Sequence, residues 1–199
     1  MSPDAPEPSE YTAADIQVVA FEESVRNRPA MYFRCARTNP ALPAEVVRTV
    51  VGDAPTERAD GPARVRVVVE TDHRFTVTDN AIPTNLDPDG RPSPGFYGSL
   101  LPRRRWPLAA AAALSSRTWI EIRTSSQSWS QELHGTTPVG PPQTGGPADT
   151  PGTRVTFELD ATYFAPGATL PKDMVTLLNT VDGNHPSASD AVIDIADLR

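Results

Sequence analysis

Phe75-Thr76-Val77-Thr78-Asp79-Asn80-Ala81-Ile82-Pro83 holds two readings in nine residues. The first half is a strand: Phe75 and Val77 alternate with Thr76 and Thr78, the two-residue period of a half-buried β-strand. The second half stops that strand on a carboxylate, followed by an apolar residue and a proline. A carboxylate at the mouth of a strand can accept a hydrogen bond from a bound amine. When it is buried the bond matters, because an unpaired buried charge is costly. The alternative is a plain Asx-type turn, in which the aspartate bonds its own backbone two residues on.

The flanking sequence supports a sheet. Ala63 to Glu70 is a strongly β-branched strand, and Thr71-Asp72-His73-Arg74 reads as the hairpin turn into Phe75. Thr118–Arg123 and Ser128–Leu133 alternate as strands, and Val192–Arg199 reads as the final one. Helices are expected in four places. One starts at Thr12, which is placed as an N-cap, and ends before Pro29. One spans Pro43–Val51, with Val46, Val47, Val50 and Val51 on one face. Leu108–Arg117 is alanine-dense, and Leu170–Leu178 closes the helical set. Met31-Tyr32-Phe33 reads as a short apolar strand. Arg103-Arg104-Arg105, beside a helix N-terminus, reads as a solvated basic turn or as an attractor of anions.

Composition narrows the function classes. The 199 residues suit one domain with tails, and 22 prolines are roughly twice the usual share. Residues 1–10 are acidic and proline-rich and are expected to be disordered. A net charge of −7 and a pI near 4.9 leave no basic stripe for a DNA backbone, so direct DNA binding is not expected. The single cysteine, Cys35, excludes an internal disulfide and a cysteine-based metal site. His73, His134 and His185 are scattered without ligand spacing. The start lacks the basic and apolar regions of a signal peptide, and no apolar run reaches transmembrane length. No membrane association is expected, and the expected location is the cytoplasm.

Tyr11-Thr-Ala-Ala-Asp-Ile-Gln-Val-Val, followed by Ser24-Val-Arg-Asn-Arg-Pro-Ala-Met-Tyr32, resembles the opening of DNA gyrase B subunits. Those read Tyr-x-Ala-x-x-Ile-x-Val-Leu-x-x-Leu-x-Ala-Val-Arg-x-Arg-Pro-Gly-Met-Tyr-Ile-Gly. Ala30 stands where the family has glycine, and Phe33-Arg34 replace Ile-Gly. The Asp79 stretch resembles the family's Asp-x-Gly-x-Gly-Ile-Pro with the Gly-x-Gly collapsed to Ala81. Ala113-Leu-Ser, Gly152-Thr153-x-Val-x-Phe157 and Leu178-Asn179 echo further family motifs. The resemblance spans residues 11–199 and does not extend to the transducer, Toprim or DNA-cleavage parts of that family.

The resemblance implies an α/β two-layer sandwich, a mixed β-sheet with helices on one face, which is the GHKL or Bergerat ATPase fold. It also implies a division of labour. Asp79, Asn80, Ile82, Pro83 and Thr153 would form the wall that holds an adenine-type ligand. In the best alignment the family's water-activating Glu falls on Arg48 and its Mg²⁺-binding Asn on Gly52; other registers give Thr49 and Asp53, or Glu45 and Thr49, and none restores both roles. An arginine cannot act as a base, so no catalytic residue and no metal ligand is expected there, and Glu45 is read as solvated or paired with Arg48. The lid region, residues 84–107, is shortened and lacks the phosphate-cradling glycines. Residues 135–152 read as a Pro/Gly loop.

The expected function is a stand-alone, degenerate gyrase-B-like domain. It would be a pseudo-ATPase that binds ATP or another adenine-type ligand weakly or not at all, without Mg²⁺, and acts as a binding or regulatory module. The alternatives are a residual ATP-binding component of an ATP-hydrolysing DNA topoisomerase and a docking partner of gyrase subunits. Residues 11–20 correspond to the family's arm and suggest a homodimer.

Overall fold

The computed structural model describes residues 19–54, 64–81, 83, 86–179 and 192–199. The N-terminal tail, most of the 11–20 arm, Ile82 and the 180–190 insertion lie outside the described residues.

Alternating apolar residues build a mixed sheet. Its strands are β1 (Arg64–Thr71), β2 (Arg74–Asp79), β3 (Ser115–Arg123), β4 (Ser128–His134), β5 (Thr137–Pro138), β6 (Gln143–Gly145), β7 (Gly152–Leu159) and β8 (Val192–Asp197). Their order is β5-β4-β3-β7-β2-β1-β8, with β6 also pairing to β4. β1 and β8 run parallel, and the other pairs are antiparallel. The Pro/Gly stretch expected to be a loop therefore contributes β5 and β6, two short strands laid along β4.

One face of the sheet is apolar. Val65, Val67, Val69, Phe75, Val77, Ile120, Ile122, Val155 and Phe157 are buried on it, while Arg66, Arg117, Trp119, Arg154 and Glu158 occupy the opposite face and are exposed. Phe75 and Phe157 are register partners with ring centroids 5.1 Å apart, a stacked pair at the centre of the core. Against this face pack α1 (Phe21–Asn27), α2 (Pro29–Phe33), α3 (Leu42–Gly52), α4 (Trp106–Ala113) and α5 (Met174–Asn179). The result is a two-layer α/β sandwich with helices on one side.

α4 is buried on every side, from Pro107 to Ala113. Alanines let it lie close to β3 and β7, which is why so apolar a segment ends in the middle of the layer. The helix is shorter than its alanine-rich sequence suggests. Ser115 already belongs to β3, and its hydroxyl bonds back to the Ala111 carbonyl at 2.8 Å.

Residues 31–33 are helical, not a strand. Pro29 ends α1 as expected, with Arg28 at φ −133°, but the same proline then serves as the first residue of α2, where its missing N–H costs nothing. α2 closes on Arg34 in the left-handed conformation, φ 54°. A residue with a Cβ is disfavoured there by about 1 kcal/mol. Arg34→Gly is therefore expected to raise stability by up to about 1 kcal/mol, roughly 2–4 °C in melting temperature for a chain of this size, measurable by thermal denaturation.

The region expected to be a shortened lid is tied down by aromatic side chains. Phe21 of α1 meets Tyr32 edge-on at 5.5 Å, Phe96 at 5.1 Å and Tyr97 at 6.3 Å. The Tyr97 hydroxyl donates to the Ala109 carbonyl of α4 at 3.0 Å, and burial, then the nearby Glu22 carboxylate, push its phenol above the ordinary range.

Arg26 of α1 reaches the far end of β7, donating to the Ala113 carbonyl at 2.9 Å and to the Asp160 carboxylate at 3.2 Å. Burial would raise the Asp160 carboxyl, but the Thr162 hydroxyl, Arg26 and the Thr162 amide outweigh it and hold it below the usual value. A depressed folded-state pKa means that this stabilisation is present above the unfolded value near pH 4 and is lost as pH falls through the folded value. Asp160→Asn is expected to melt lower than the parent at pH 7. The gap should narrow below about pH 4, and a gap constant from neutral to strongly acidic pH would contradict the assignment.

Candidate functional site

The β2 strand ends at Asp79, whose side chain points to the helical layer together with Phe75 and Val77. Asp79 is 3% exposed. One carboxylate oxygen, Oδ1, accepts from the Ala81 amide at 3.2 Å and from the Thr153 amide at 3.3 Å. The Ala81 bond is the Asx turn that the local sequence allowed. The Thr153 bond joins two residues 74 positions apart, because the start of β7 lies alongside the end of β2. Asp79 and Thr153 are thus brought together, with the Thr153 amide as the donor.

Gly152 makes this approach possible. Its φ is +149°, and a Cβ built on it would collide with the Asp79 carbonyl oxygen. Asn80 is turned the other way: its Oδ1 accepts from the Arg64 amide at 2.9 Å and pins the start of β1. Pro83 is half-buried, and Ile82 lies outside the described residues.

The other Asp79 oxygen, Oδ2, is taken by an arginine. Arg105, immediately before α4, places Nη1 2.5 Å from Asp79 Oδ2 and Nε 3.3 Å from Asp53 Oδ2. Arg105 is only 9% exposed. The basic turn expected at Arg103-Arg104-Arg105 is therefore solvated at its first two residues alone; the third is part of the core. α4 drags it in, since a helix apolar all round must be buried and the residue at its start goes with it. The signal for this burial lies in Trp106–Ala113 and not in the arginine triplet. Asp53, one residue past α3, carries no local signal of its role. Arg105 Nη2 is buried with no hydrogen-bond partner among the described residues, so the pair is incompletely satisfied.

On α3, Arg48 Nη1 bonds Glu45 Oε1 at 2.6 Å, one turn back on the helix, the pairing expected for these two residues. Gly52 ends the helix one turn after Arg48 and is buried; a Cβ there would meet nothing within 4 Å. Cys35 is a free, buried thiol, pushed up by burial and by Glu45, which disfavours the thiolate. Among the described residues no three His, Cys, Asp or Glu side chains converge as a metal site, and no helix is long and apolar enough to cross a membrane.

No protein-family model matches the chain. Over 88 residues it is 36% identical to a chloroplastic/mitochondrial DNA gyrase B subunit of Oryza sativa subsp. japonica. The chain carries a gyrase-B-like region. The match covers 42% of this chain and 12% of the rice protein, so the chain spans only a small part of that relative's length. The chain's fold is a mixed sheet with one helical layer, and the buried carboxylate at the end of β2 is already paired to a side chain of the same molecule.

Proposed function

We propose that this chain is a gyrase-B-like domain of the GHKL or Bergerat type that has lost ATP turnover, a pseudo-ATPase serving as a binding or regulatory module. The observation that carries this reading is the Arg105–Asp79 pair. By resemblance, Asp79 is the carboxylate that accepts the amine of adenine. Here a guanidinium of the same chain is bound to it. An adenine amine would have to displace a buried, charge-assisted bond and leave Arg105 with Asp53 alone.

The chemistry of phosphoryl transfer is missing as well. It needs metal, positioning and an oriented water together. Arg48 stands at the water-activating position and is engaged by Glu45, and Gly52 offers no ligand at the Mg²⁺ position. The shortened lid region, fastened by Phe96 and Tyr97 to α1, replaces a glycine-rich phosphate cradle.

A second reading has one observation in its favour. The Thr153 amide bonds Asp79, the proximity that an adenine-holding wall would need. Adenosine, which carries no phosphate, separates the two readings when melting is followed with increasing ligand. The parent is expected to show no shift, and ATP with Mg²⁺ is expected to release no phosphate above background. Arg105→Ala uncovers Asp79 and opens space beside it, so this variant is expected to gain an adenosine-dependent rise of about 3–6 °C at ten times its Kd. Phosphate release by the parent, abolished in Asp79→Asn, would overturn the pseudo-ATPase reading in favour of a residual ATPase component. An adenosine shift in the parent would show that the arginine does not close the site.

A further inference from the structure

The opposite, helix-free face of the sheet holds a second feature at the same end. Three strands bring four arginines to it. In one cross-strand row, Arg66 of β1 pairs with Thr78 of β2, and Thr78 pairs with Arg154 of β7. Two residues further along, Arg64 of β1 lies beside Asn80, and Arg123 of β3 is the register partner of Gly152 on β7. The arginines therefore stand at the corners of a patch whose floor is Thr78 and the side-chain-free Gly152. Strands are about 4.8 Å apart, so Arg66 and Arg154, two strands apart, are spaced by about 10 Å. A cleft of about 790 Å³ opens here, lined by Arg64, Arg66, Arg123, Thr78, Asp79 and Asp194 among others. Arg154, the register partner of Thr78, lines the adjoining groove with Arg117, Trp119 and Glu121.

These charges are poorly matched within the protein. Asp194 lies 3.7 Å from Arg66 Nε, and both side chains are more than half exposed, so that pair is weak. Glu121 is opposite Arg154 in register without forming an ion pair. Arg64, Arg123 and Arg154 have no salt-bridge partner among the described residues. Arg123 Nε is buried with no hydrogen-bond partner there. A buried donor left unmade is unfavourable, and an anionic oxygen in the cleft would satisfy it. Three arginines line the cleft, and of its two carboxylates Asp79 is already held by Arg105, which leaves a local excess of positive charge on a chain whose net charge is −7.

We propose that this cleft is a binding site for a small oligophosphate, a ligand with two or more linked phosphate groups held by Arg64, Arg66 and Arg123. Its size falls in the range of small-molecule sites. The chain's overall negative charge disfavours a long polyanion such as nucleic acid, whose affinity rests on many cations. Asp79 and Asn80 close the cleft at the end of β2, so the site adjoins Asp79, but its arginines do not depend on the pseudo-ATPase reading.

Titration calorimetry of the full chain with inorganic triphosphate, without Mg²⁺, tests it. Saturable binding of one equivalent is expected, and each of Arg66→Gln and Arg64→Gln should weaken it about tenfold, the loss of one charge-assisted contact. Both positions are exposed, so these variants are expected to fold. Arg103→Gln, an exposed arginine outside the cleft, should leave binding unchanged. ATP should compete with triphosphate in the parent, and adenosine, which carries no phosphate, should not. Absence of heat at millimolar triphosphate, equal weakening by Arg103→Gln, or displacement of triphosphate by a single-stranded oligonucleotide at lower phosphate concentration would each overturn the proposal. The last would mark a nucleic-acid surface instead.

Discussion

Arg105→Met is expected to lower the folding free energy by about 3–5 kcal/mol, and Asp79→Asn by less. Both members of the pair are buried, with side chains 11% and 4% exposed, so removing one leaves the other charge uncompensated in a poorly hydrated place. The two losses are not symmetrical. Without Asp79, Arg105 keeps Asp53 at 3.3 Å. Without Arg105, Asp79 keeps only two long backbone bonds, at 3.2 and 3.3 Å on a single oxygen. The double variant Arg105→Met with Asp79→Asn should recover much of the loss, because exchanging a buried ion pair for neutral groups is often close to neutral. Urea denaturation of the four proteins closes a double-mutant cycle. A coupling energy below about 0.5 kcal/mol would mean that the two side chains do not depend on one another, and the self-closed site would have to be abandoned.

Gly152→Ala carries the other large effect. Only glycine adopts φ +149° readily, and the added methyl would run into the Asp79 carbonyl oxygen and lie 2.9 Å from Asn80 Cα. Both contacts are backbone atoms inside the sheet, so neither can swing away. Relief requires β2 and β7 to part at their ends. That would break the Thr153–Asp79 bond, loosen the Arg105 pair, and expose the edge of the core at Val77 and Val155. A loss above about 4 kcal/mol is expected, at the extreme of single substitutions. The readout is the denaturation midpoint, or the soluble yield if the variant does not fold. The neighbouring Arg154→Ala, which points to the open face, is the control and should change stability by no more than about 0.5 kcal/mol. A Gly152→Ala protein as stable as its parent would show that the strands do not meet as closely as described.

These two sites also mark where reading the chain as a string succeeds. Asp79 is legible because a period-2 run ends on it, whereas Thr153 is singled out only by the resemblance of Gly152–Phe157 to a family motif. Trp119 and Trp129 both read as packing residues in alternating strands, yet only Trp129 is buried and Trp119 is 40% exposed on the open face. Alternation says that two faces differ. It does not say which of them a tryptophan occupies until the register is known. Met31–Phe33 misleads for a related reason. Three apolar residues have no resolvable period, and Pro29 is equally a helix terminator and a helix initiator.

Local order, therefore, is written in the sequence: the strand ending at Asp79, the β-branched pairs, the valine face of α3, the alanine helix, and the Glu45–Arg48 pair one turn apart. Each depends on residues within a few positions of one another. The occupant of Asp79 is decided by the tertiary structure alone. Arg105 is 26 residues from Asp79 and 52 from Asp53, and nothing in Arg103-Arg104-Arg105 distinguishes the third arginine from the first two. Burial of α4 against β3 and β7 makes the distinction. Once that helix is packed, its leading residue is held in the core, where a cation is stable only if it finds a carboxylate.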